Sequence, residues 1–454
     1  MNNERSEAGR IAITGIGLVT SVGFGTASTL AAIRGIIANF SEHETVMVNG
    51  DCYGTELSGA GIARMPEDIV PRHVTGVERA VALLTPAIRE CTNGLSCDMP
   101  GSAEWRIRNW IEPECGDFEK NMNAVFRDSP VAIPCRTPLD DLFLGRCLFF
   151  EDIMQAAAHL RNGIHRMALV ACVDSLCETT ILERLCETGR LKSGTNPEGI
   201  VAGEAAGAVL LELESHARMR EARIHAFLSD WGRGDEPDPW TGKIPSSASG
   251  LSTALLEAFT SLPGKGADIG MVVSDLNGEF ARAYEWGIAA GRIFPKDDKE
   301  RELRHPADCV GDCGAAMGAV LIATAVSLSS VGTEPLKIAV ATSDEYGARR
   351  VLCIERCYEP DKDTVTSVEM RRSRAVLPAV VEQHCDDASS LWLVRNHLIS
   401  APHCVLDELA RHDGRIEAHL DGLRLAGDTG WDLCKAALET NFPEDYFPPA
   451  VLAF

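Results

Sequence analysis

The sequence predicts a largely parallel α/β fold followed by a separate α-helical segment at the C-terminal end. Two observations lead to this expectation. Short apolar runs that indicate buried strands alternate with helical patterns up to about residue 356, as in chains whose helices cross over between parallel strands. After Tyr358 the chain becomes polar and then helical. A length of 454 residues is enough for more than one domain.

The first part of the chain predicts three strands and one long helix. Residues 10–25 (RIAITGIGLVTSVGFG) begin with alternating apolar residues, and glycines then interrupt the run. Residues 41–130 are rich in turn formers and predict little. The other expected elements are a helix at 149–162 ended by Gly163, a buried strand at 167–172, and a strand at 208–213 that follows the glycine-rich segment 197–207.

The second part of the chain predicts a similar alternation of strands and helices. Its expected strands lie at 223–231, 269–273, 338–342 and 351–354. Its expected helices lie at 251–262, 279–291 and 314–330, and the last of these is built mainly from small residues (GAAMGAVLIATAVSLSS). These elements complete the expected α/β architecture.

Charge and hydropathy limit the classes of partner. The net charge of −23 argues against nucleic acid or an anionic membrane as the main partner, because phosphate groups would be repelled. The short basic cluster Arg371, Arg372 and Arg374 is interpreted as a solvated hinge. No run of 18 or more apolar residues is present, and residues 1–10 lack the apolar region of a signal peptide. We therefore expect a cytoplasmic protein.

Neither a metal nor a cofactor is predicted. The 16 cysteines are expected to be reduced, since no secretion signal is seen. His305, Cys309 and Cys313 stand at helical spacing, but a zinc site needs a fourth ligand. The Gly-Ile-Gly run at 15–17 follows a predicted strand, yet Thr20 stands where a dinucleotide-binding loop has its third glycine.

Four segments in order resemble the β-ketoacyl synthase branch of the thiolase-like superfamily. They are ITGIGLVTSVG at 13–23, AAAHLRNGIHRMALVACVDS at 156–175, GRLKSGTNPEGIVAGEAAGAVLLE at 189–212 and VGDCGAAMGAVLIATAVSL at 310–328. The resemblance implies a five-layer αβαβα fold of two similar halves, at 1–215 and 216–358, and a homodimer. It also implies a cysteine nucleophile, two histidines, and backbone N–H groups near a glycine-rich loop that hold an oxyanion.

The nucleophile position of that family falls on Arg146, counted back without gaps from Gly163. Arginine is no nucleophile, and its charge opposes the helix dipole that would lower the pKa of a thiol. Cys147 is one residue further on, and a one-residue deletion would align it. Because one residue turns a helical side chain by about 100°, Cys147 has two interpretations, a displaced nucleophile or a small buried residue.

The two histidine positions are also substituted. The first falls on Ser274 and the second on Asp312. Only His305 lies between His225 and His384, so one histidine cannot fill both places. The glycine-rich loop of the family reads Asp-Glu-Tyr-Gly-Ala at 344–348. Ionised carboxylates there would repel a developing oxyanion, so the resemblance implies that ketosynthase chemistry is lost.

The acidic segment after the first histidine position leaves two interpretations open. Asp275, Asn277 and Glu279 could converge with Asp312, and paired carboxylates can perform acid–base chemistry or bind a cation. Alternatively, the phrase SDLNGE at 274–279 is a turn whose Asp and Asn cap the following helix.

The C-terminal region predicts a linker at 359–374 and a helical segment at 375–454. Residues 378–447 resemble the start of a bacterial HEAT-like repeat family. Members of that family, like divergent thiolase-like proteins, occur beside type VI secretion spike genes. The resemblance implies helices with an apolar face that a neighbouring repeat or a partner covers.

Three functions are carried forward from the sequence. The leading expectation is a catalytically degenerate, ketosynthase-like homodimer that acts as an accessory factor, with type VI secretion effector or spike proteins as implied partners. One alternative is an acyl-transfer enzyme that uses Cys147. The other is a module that binds an acyl chain or an acyl carrier protein without catalysis.

Overall fold

A computed structural model describes residues 9–49, 57–93, 95, 103–109, 146–194, 196–239, 245–260, 262, 266, 268–294, 301–329 and 337–357. The predicted linker at 359–374, the helical segment at 375–454 and the cluster around Arg372 lie outside the described residues. The chain divides into two compact units, and the fold below is that of Met1–Thr26 together with Ile36–Tyr358. The described residues of the other unit are Ala27–Gly35, which form most of the first helix.

Strands and helices alternate along the described chain. The strands are β1 (Ile11–Thr20), β2 (Gly23–Phe24), β3 (Ser41–Asn49), β4 (Leu57–Ala63), β5 (Ala103–Asn109), β6 (Met167–Ser175), β7 (Ala202–Leu213), β8 (Ala226–Asp235), β9 (Ile269–Ser274), β10 (Glu302–Arg304), β11 (Lys337–Ser343) and β12 (Ala348–Arg356). The helices are α1 (Thr26–Arg34), α2 (Gly76–Thr92), α3 (Leu148–Arg161), α4 (Thr179–Glu187), α5 (Glu214–Met219), α6 (Ser249–Thr260), α7 (Phe280–Ile293), α8 (Ala307–Val310) and α9 (Met317–Ser329).

The strands form two sets with the same order and the same directions. The first set runs β5-β6-β7-β1 and the second β9-β11-β12-β8. In each set the first pair is parallel and the next two pairs are antiparallel. The sets meet where β1 pairs with β8 over Ile11–Ile13. The expectation of a largely parallel sheet is therefore wrong, because antiparallel pairs join β12 to both of its neighbours and β7 to both β6 and β1.

Helices lie on both outer sides of the strands and between the two sets. On the first set, α2 contacts β1, β6 and β7, and on the second set α6 contacts β8 and β12. The central helices α3 and α9 contact strands of both sets, since each touches β7 and β12. This succession of helix, strand, helix, strand and helix agrees with the layers implied by the resemblance.

In each set of strands, a glycine lets an outer helix pack close against a strand. A Cβ atom on Gly17 of β1 would lie 1.8 Å from the Ala87 carbonyl oxygen of α2. A Cβ atom on Gly232 of β8 would lie 1.9 Å from the Ala254 carbonyl oxygen of α6. The Gly-Ile-Gly run at 15–17 is thus explained by helix packing rather than by a nucleotide loop.

The predicted element positions are confirmed, with different bounds. Gly163 ends α3 in a left-handed conformation at φ 68°, and the Gly163 and Ile164 N–H groups bond to the carbonyls of Leu160 and His159. Strand β7 begins at Ala202 rather than 208, so its glycines lie inside the strand. The helix expected at 314–330 begins with a 3₁₀ turn, Gly314–Ala316. None of the helices within the described residues is long and apolar enough to cross a membrane.

Candidate functional site

Arg146 lies just before helix α3 and is almost wholly buried, with 9% of its side chain exposed. Its Nη1 group donates a hydrogen bond to Asp312 Oδ1, and its Nε group donates to Glu345 Oε1 at 2.9 Å. The resemblance implies that these residues hold the nucleophile position, the second histidine position and part of the glycine-rich loop. In the structure, ion pairs join Arg146 to both carboxylates.

Asp312 lies between β10 and α9, and polar groups surround its carboxylate. The Asn277 amide donates to Oδ2 at 2.7 Å, and the Gly314 backbone N–H donates to Oδ1 at 3.0 Å. Burial alone would raise the pKa of the Asp312 carboxyl, but attraction to Arg146 and Arg282 outweighs it and holds the pKa well below its ordinary value. Asp312 therefore stays ionised at neutral pH.

Two further arginines, Arg190 and Arg282, complete the cluster. Arg190 makes two hydrogen bonds to Glu279, at 2.7 and 3.0 Å, and a third to Glu345 at 3.2 Å. Arg282 donates to Asp275 at 2.6 Å and lies 3.4 Å from Glu279 and 3.8 Å from Glu345. We call the whole set the ion-pair network: Arg146, Arg190, Arg282, Asp275, Glu279, Asp312 and Glu345.

Sequence reasoning missed both of these arginines. Arg282 stands three residues after Glu279, which is helical spacing for an ion pair and could have indicated the contact. Arg190 lies 89 residues before Glu279, and no local pattern points to their pairing.

Opposite charges keep Glu345 and Glu279 of the ion-pair network ionised. Burial would raise the pKa of Glu345, yet Arg146, Arg282 and Arg190 lower it to about 2. Burial acts in the same direction on Glu279, and its hydrogen bonds to Arg190 and its attraction to Arg282 leave its pKa below the ordinary value. A carboxylate held in this way is a poor proton donor or acceptor near neutral pH.

The acidic segment after β9 converges on the ion-pair network and does more than cap a helix. Asp275 accepts hydrogen bonds from the Ser343 N–H at 2.8 Å and from the Thr342 hydroxyl at 3.2 Å, in addition to Arg282. Asn277 does bond to the Glu279 N–H at 3.2 Å, as a capping turn would. Ser274, at the first histidine position, is the buried last residue of β9. The interpretation as a capping turn alone is therefore wrong.

Cys147 faces backbone carbonyls rather than an open site. Its thiol lies 3.2 Å from the Ala348 carbonyl oxygen and 3.5 Å from that of Thr342, and the residue is 1% exposed. Burial, followed by repulsion from Asp344 and Asp275, raises its pKa well above the ordinary value. The Cys147 sulfur is therefore held as a neutral thiol.

His305 is half-buried and bonds to its own segment. Its Nδ1 lies 2.7 Å from Asp308 Oδ2, and this hydrogen bond raises the pKa of the imidazole. Cys309 and Cys313 are buried, and the Cys313 thiol lies 3.4 Å from the Val310 carbonyl oxygen. Among the described residues no group of three or more His, Cys, Asp or Glu side chains is arranged to hold a metal ion.

Asp174 is a further buried carboxyl beside the ion-pair network. It is the second-last residue of β6 and accepts hydrogen bonds from the Ser175 N–H at 2.8 Å and the Ala315 N–H at 2.9 Å. Burial raises the pKa of Asp174 to about 6, although the Ala315 N–H and Arg146 act to lower it. Asp174 and Asp312 thus accept from successive N–H groups of the same 3₁₀ turn.

Comparison with solved structures finds ketosynthases. No family model matches the sequence, and no curated protein matches it. The complex AntDE:AntF, described as a type II PKS acyl-carrier protein with its ketosynthase, is 14% identical with a TM-score of 0.62, over 77% of this chain and 100% of that chain. The ketosynthase domain OzmH KS7 of Streptomyces albus JA3453 is 13% identical with a TM-score of 0.62, over 85% and 83% of the two chains.

A ketosynthase from module 6 of the bacillaene synthase of Bacillus subtilis 168 gives a similar result. It is 14% identical with a TM-score of 0.60, over 82% of this chain and 77% of that chain. At these identities the likeness shows the fold alone. The described chain therefore has the thiolase-like fold of ketosynthase domains.

Proposed function

We propose that this chain is a ketosynthase-fold protein that does not condense acyl chains and acts by binding other proteins. The observation that supports the proposal is that Arg146, at the position where the resemblance implies the nucleophile, forms ion pairs with Asp312 and Glu345. Substituted residues that form ion pairs with one another have a structural role. Unrelated random substitutions of catalytic residues would not produce such pairs.

The chemistry of condensation argues in the same direction. Acyl transfer to the protein needs a thiolate, and Cys147 is a buried neutral thiol. An oxyanion needs hydrogen-bond donors, but the Tyr346 and Ala348 N–H groups of the 344–348 loop are already bonded to Asp344. The ionised carboxylates of Asp312 and Glu345 would repel a second negative charge at this place.

Partners and domain limits belong to the proposal as well. We propose that each chain consists of the halves 1–215 and 216–358, and that two copies of the chain form a homodimer, as the resemblance implies. The AntDE:AntF structure contains an acyl carrier protein bound to its ketosynthase, which makes a carrier protein a reasonable second partner and supports the alternative of a binding module without catalysis. Type VI secretion proteins, and a HEAT-like segment at 375–454, stay predictions.

Intact-protein mass spectrometry tests the proposal. The full chain would be incubated with an acyl thioester of coenzyme A and with an acyl carrier protein loaded with the same acyl group. We expect no covalent adduct, and the same result for Cys147→Ala as a matched control. Stoichiometric acylation of the unaltered chain that is lost in Cys147→Ala would instead establish the acyl-transfer alternative.

The alternative of an acyl-binding module has its own test. Native mass spectrometry of the freshly purified chain would detect a retained acyl ligand. Such a ligand, together with the absence of covalent acylation, would favour a binding module over a purely protein-binding factor.

A further inference from the structure

The donors around Asp312 form a carboxylate-binding site that the chain fills by itself. The Arg146 guanidinium, the Asn277 amide and the Gly314 N–H all point at one carboxylate. They come from three distant segments: the start of α3, the loop after β9, and the 3₁₀ turn before α9. Asp312 is 2% exposed, so its carboxylate depends on these protein donors for its hydrogen bonds.

We propose that the Asp312 side chain is a built-in ligand, and that the site beneath it binds a small monocarboxylate such as formate or acetate once that side chain is shortened. The proposal rests on the proposed function, since it takes the site to be closed and non-catalytic. Its ligand class comes from the donors, because a guanidinium with two further N–H donors matches the two oxygens of a carboxylate.

Charge and space restrict this ligand further. The Glu345 carboxylate accepts a hydrogen bond from Arg146 at 2.9 Å, and Asp174, which is 4% exposed, accepts one from the Ala315 N–H, next to the Gly314 donor. A dianion such as phosphate would meet these carboxylates, whereas a monocarboxylate only restores the charge that Asp312 carried. A Cβ atom on Gly314 would lie 2.0 Å from Asp174 Oδ2, so no larger residue fits at this part of the turn.

The built-in ligand explains why the site stays closed in the unaltered protein. Asp312 is tethered to the chain, so its effective concentration at the donors exceeds that of a dissolved anion. An external acyl or carboxylate group therefore does not displace it. The Asp312 contacts therefore keep the site closed to an external carboxylate.

Thermal unfolding of the full chain in formate tests the proposal. We expect Asp312→Ala to unfold at a lower temperature than the unaltered chain, and sodium formate to raise that temperature with a saturable dependence that sodium chloride at equal ionic strength does not reproduce. The control is Asp312→Asn, whose amide fills the space, and it should respond equally to both salts.

Refolding from urea provides a second readout if Asp312→Ala is too unstable to purify folded. The yield of refolded variant should then be severalfold higher in formate than in chloride. Equal responses of Asp312→Ala to the two salts, a formate response of Asp312→Asn as large as that of Asp312→Ala, or refolding in neither salt would overturn the inference. None of these results bears on the acylation test, which uses the unaltered chain, so the two proposals fail separately.

Discussion

Arg146 shows how one buried charge depends on its neighbours. A guanidinium that is 9% exposed has lost most of its water, and it is tolerated because Asp312 and Glu345 bond to it. Without Arg146, Asp312 would lose its bonded cation, whereas Glu345 would keep its ion pair with Arg190 at 3.2 Å. Replacing Arg146 alone would therefore leave a buried carboxylate without its bonded counterion.

Asp174 and Glu345 give opposite pH dependences. The pKa of Asp174 is raised to about 6 in the folded chain from an ordinary value of 3.8, so the folded state binds its proton more tightly. Stability therefore falls as pH rises from about 4 to 6, by an amount on the order of 2–3 kcal/mol. For Glu345 the folded pKa is about 2 against 4.5, so its contribution is present above pH 4.5 and is lost as pH falls toward 2.

We expect Asp174→Asn to flatten the pH dependence of stability between pH 4 and 6 relative to the unaltered chain. The reason is that the substituted side chain no longer takes up a proton in that range. Urea unfolding at several pH values measures the difference, and Glu345→Gln is the matched control, since its effect on pH dependence lies below pH 4.5. Parallel stability curves for the unaltered chain and Asp174→Asn across this range would contradict the assignment.

At the scale of elements, the close packing of a helix on Gly17 of β1 and on Gly232 of β8 leads to a prediction. Gly17→Ala places a methyl group 1.8 Å from the Ala87 carbonyl oxygen, so helix α2 must move away from β1. We expect a loss of about 1–3 kcal/mol or more, and the same for Gly232→Ala against α6. Thermal unfolding checks both.

Gly287→Ala is the control for these glycine variants. Gly287 lies within α7, and nothing lies within 4 Å of the Cβ atom that would be added there. We expect a gain of about 0.5–1 kcal/mol from helix propensity alone. A Gly17→Ala variant as stable as the unaltered chain would mean that α2 does not lie close on β1.

The sequence predicted the elements better than the directions of the strands. Apolar runs such as Met167–Ser175 are buried along their whole length and are recognisable without any partner. Strand direction depends on where each connection returns, and alternation with helices favoured a parallel sheet that β7 and β12 do not follow. The start of β7 was missed because its glycines and alanines, which indicate a loop locally, lie in the strand beneath α9.

The candidate site was predictable only as a set of substitutions. Alignment to a resembling family placed Arg146, Ser274 and Asp312 at catalytic positions, and these lie at or beside the ion-pair network. The ion pairs around these residues could not be predicted from the sequence, because Arg190 and Glu345, for example, are 155 residues apart and no local spacing connects them. Long-range pairing of this kind depends on the fold, and the local sequence pattern does not indicate which distant side chains meet in it.

At the scale of the whole molecule, the ion-pair network joins the proposed halves. Arg146 and Arg190 belong to residues 1–215, whereas their partners Glu279, Asp312 and Glu345 belong to 216–358. Helix α9 contacts β1 and β7 of the first half as well as β11 and β12 of the second. Each half alone would expose this apolar interface and leave the charges of the ion-pair network without their partners.

We therefore expect the fragments 1–215 and 216–454 to be insoluble when expressed separately and to form a soluble complex when expressed together. Size-exclusion chromatography of the co-expressed fragments measures this. In the same experiment Arg146→Gln should lower the yield of complex, because Asp312 then lacks its cation, while Arg72→Gln, at an exposed ion pair, should leave the yield unchanged. If residues 1–215 were soluble and folded on their own, the first half would be an independent domain. The ion-pair network would then add to its stability but would not be required for its folding.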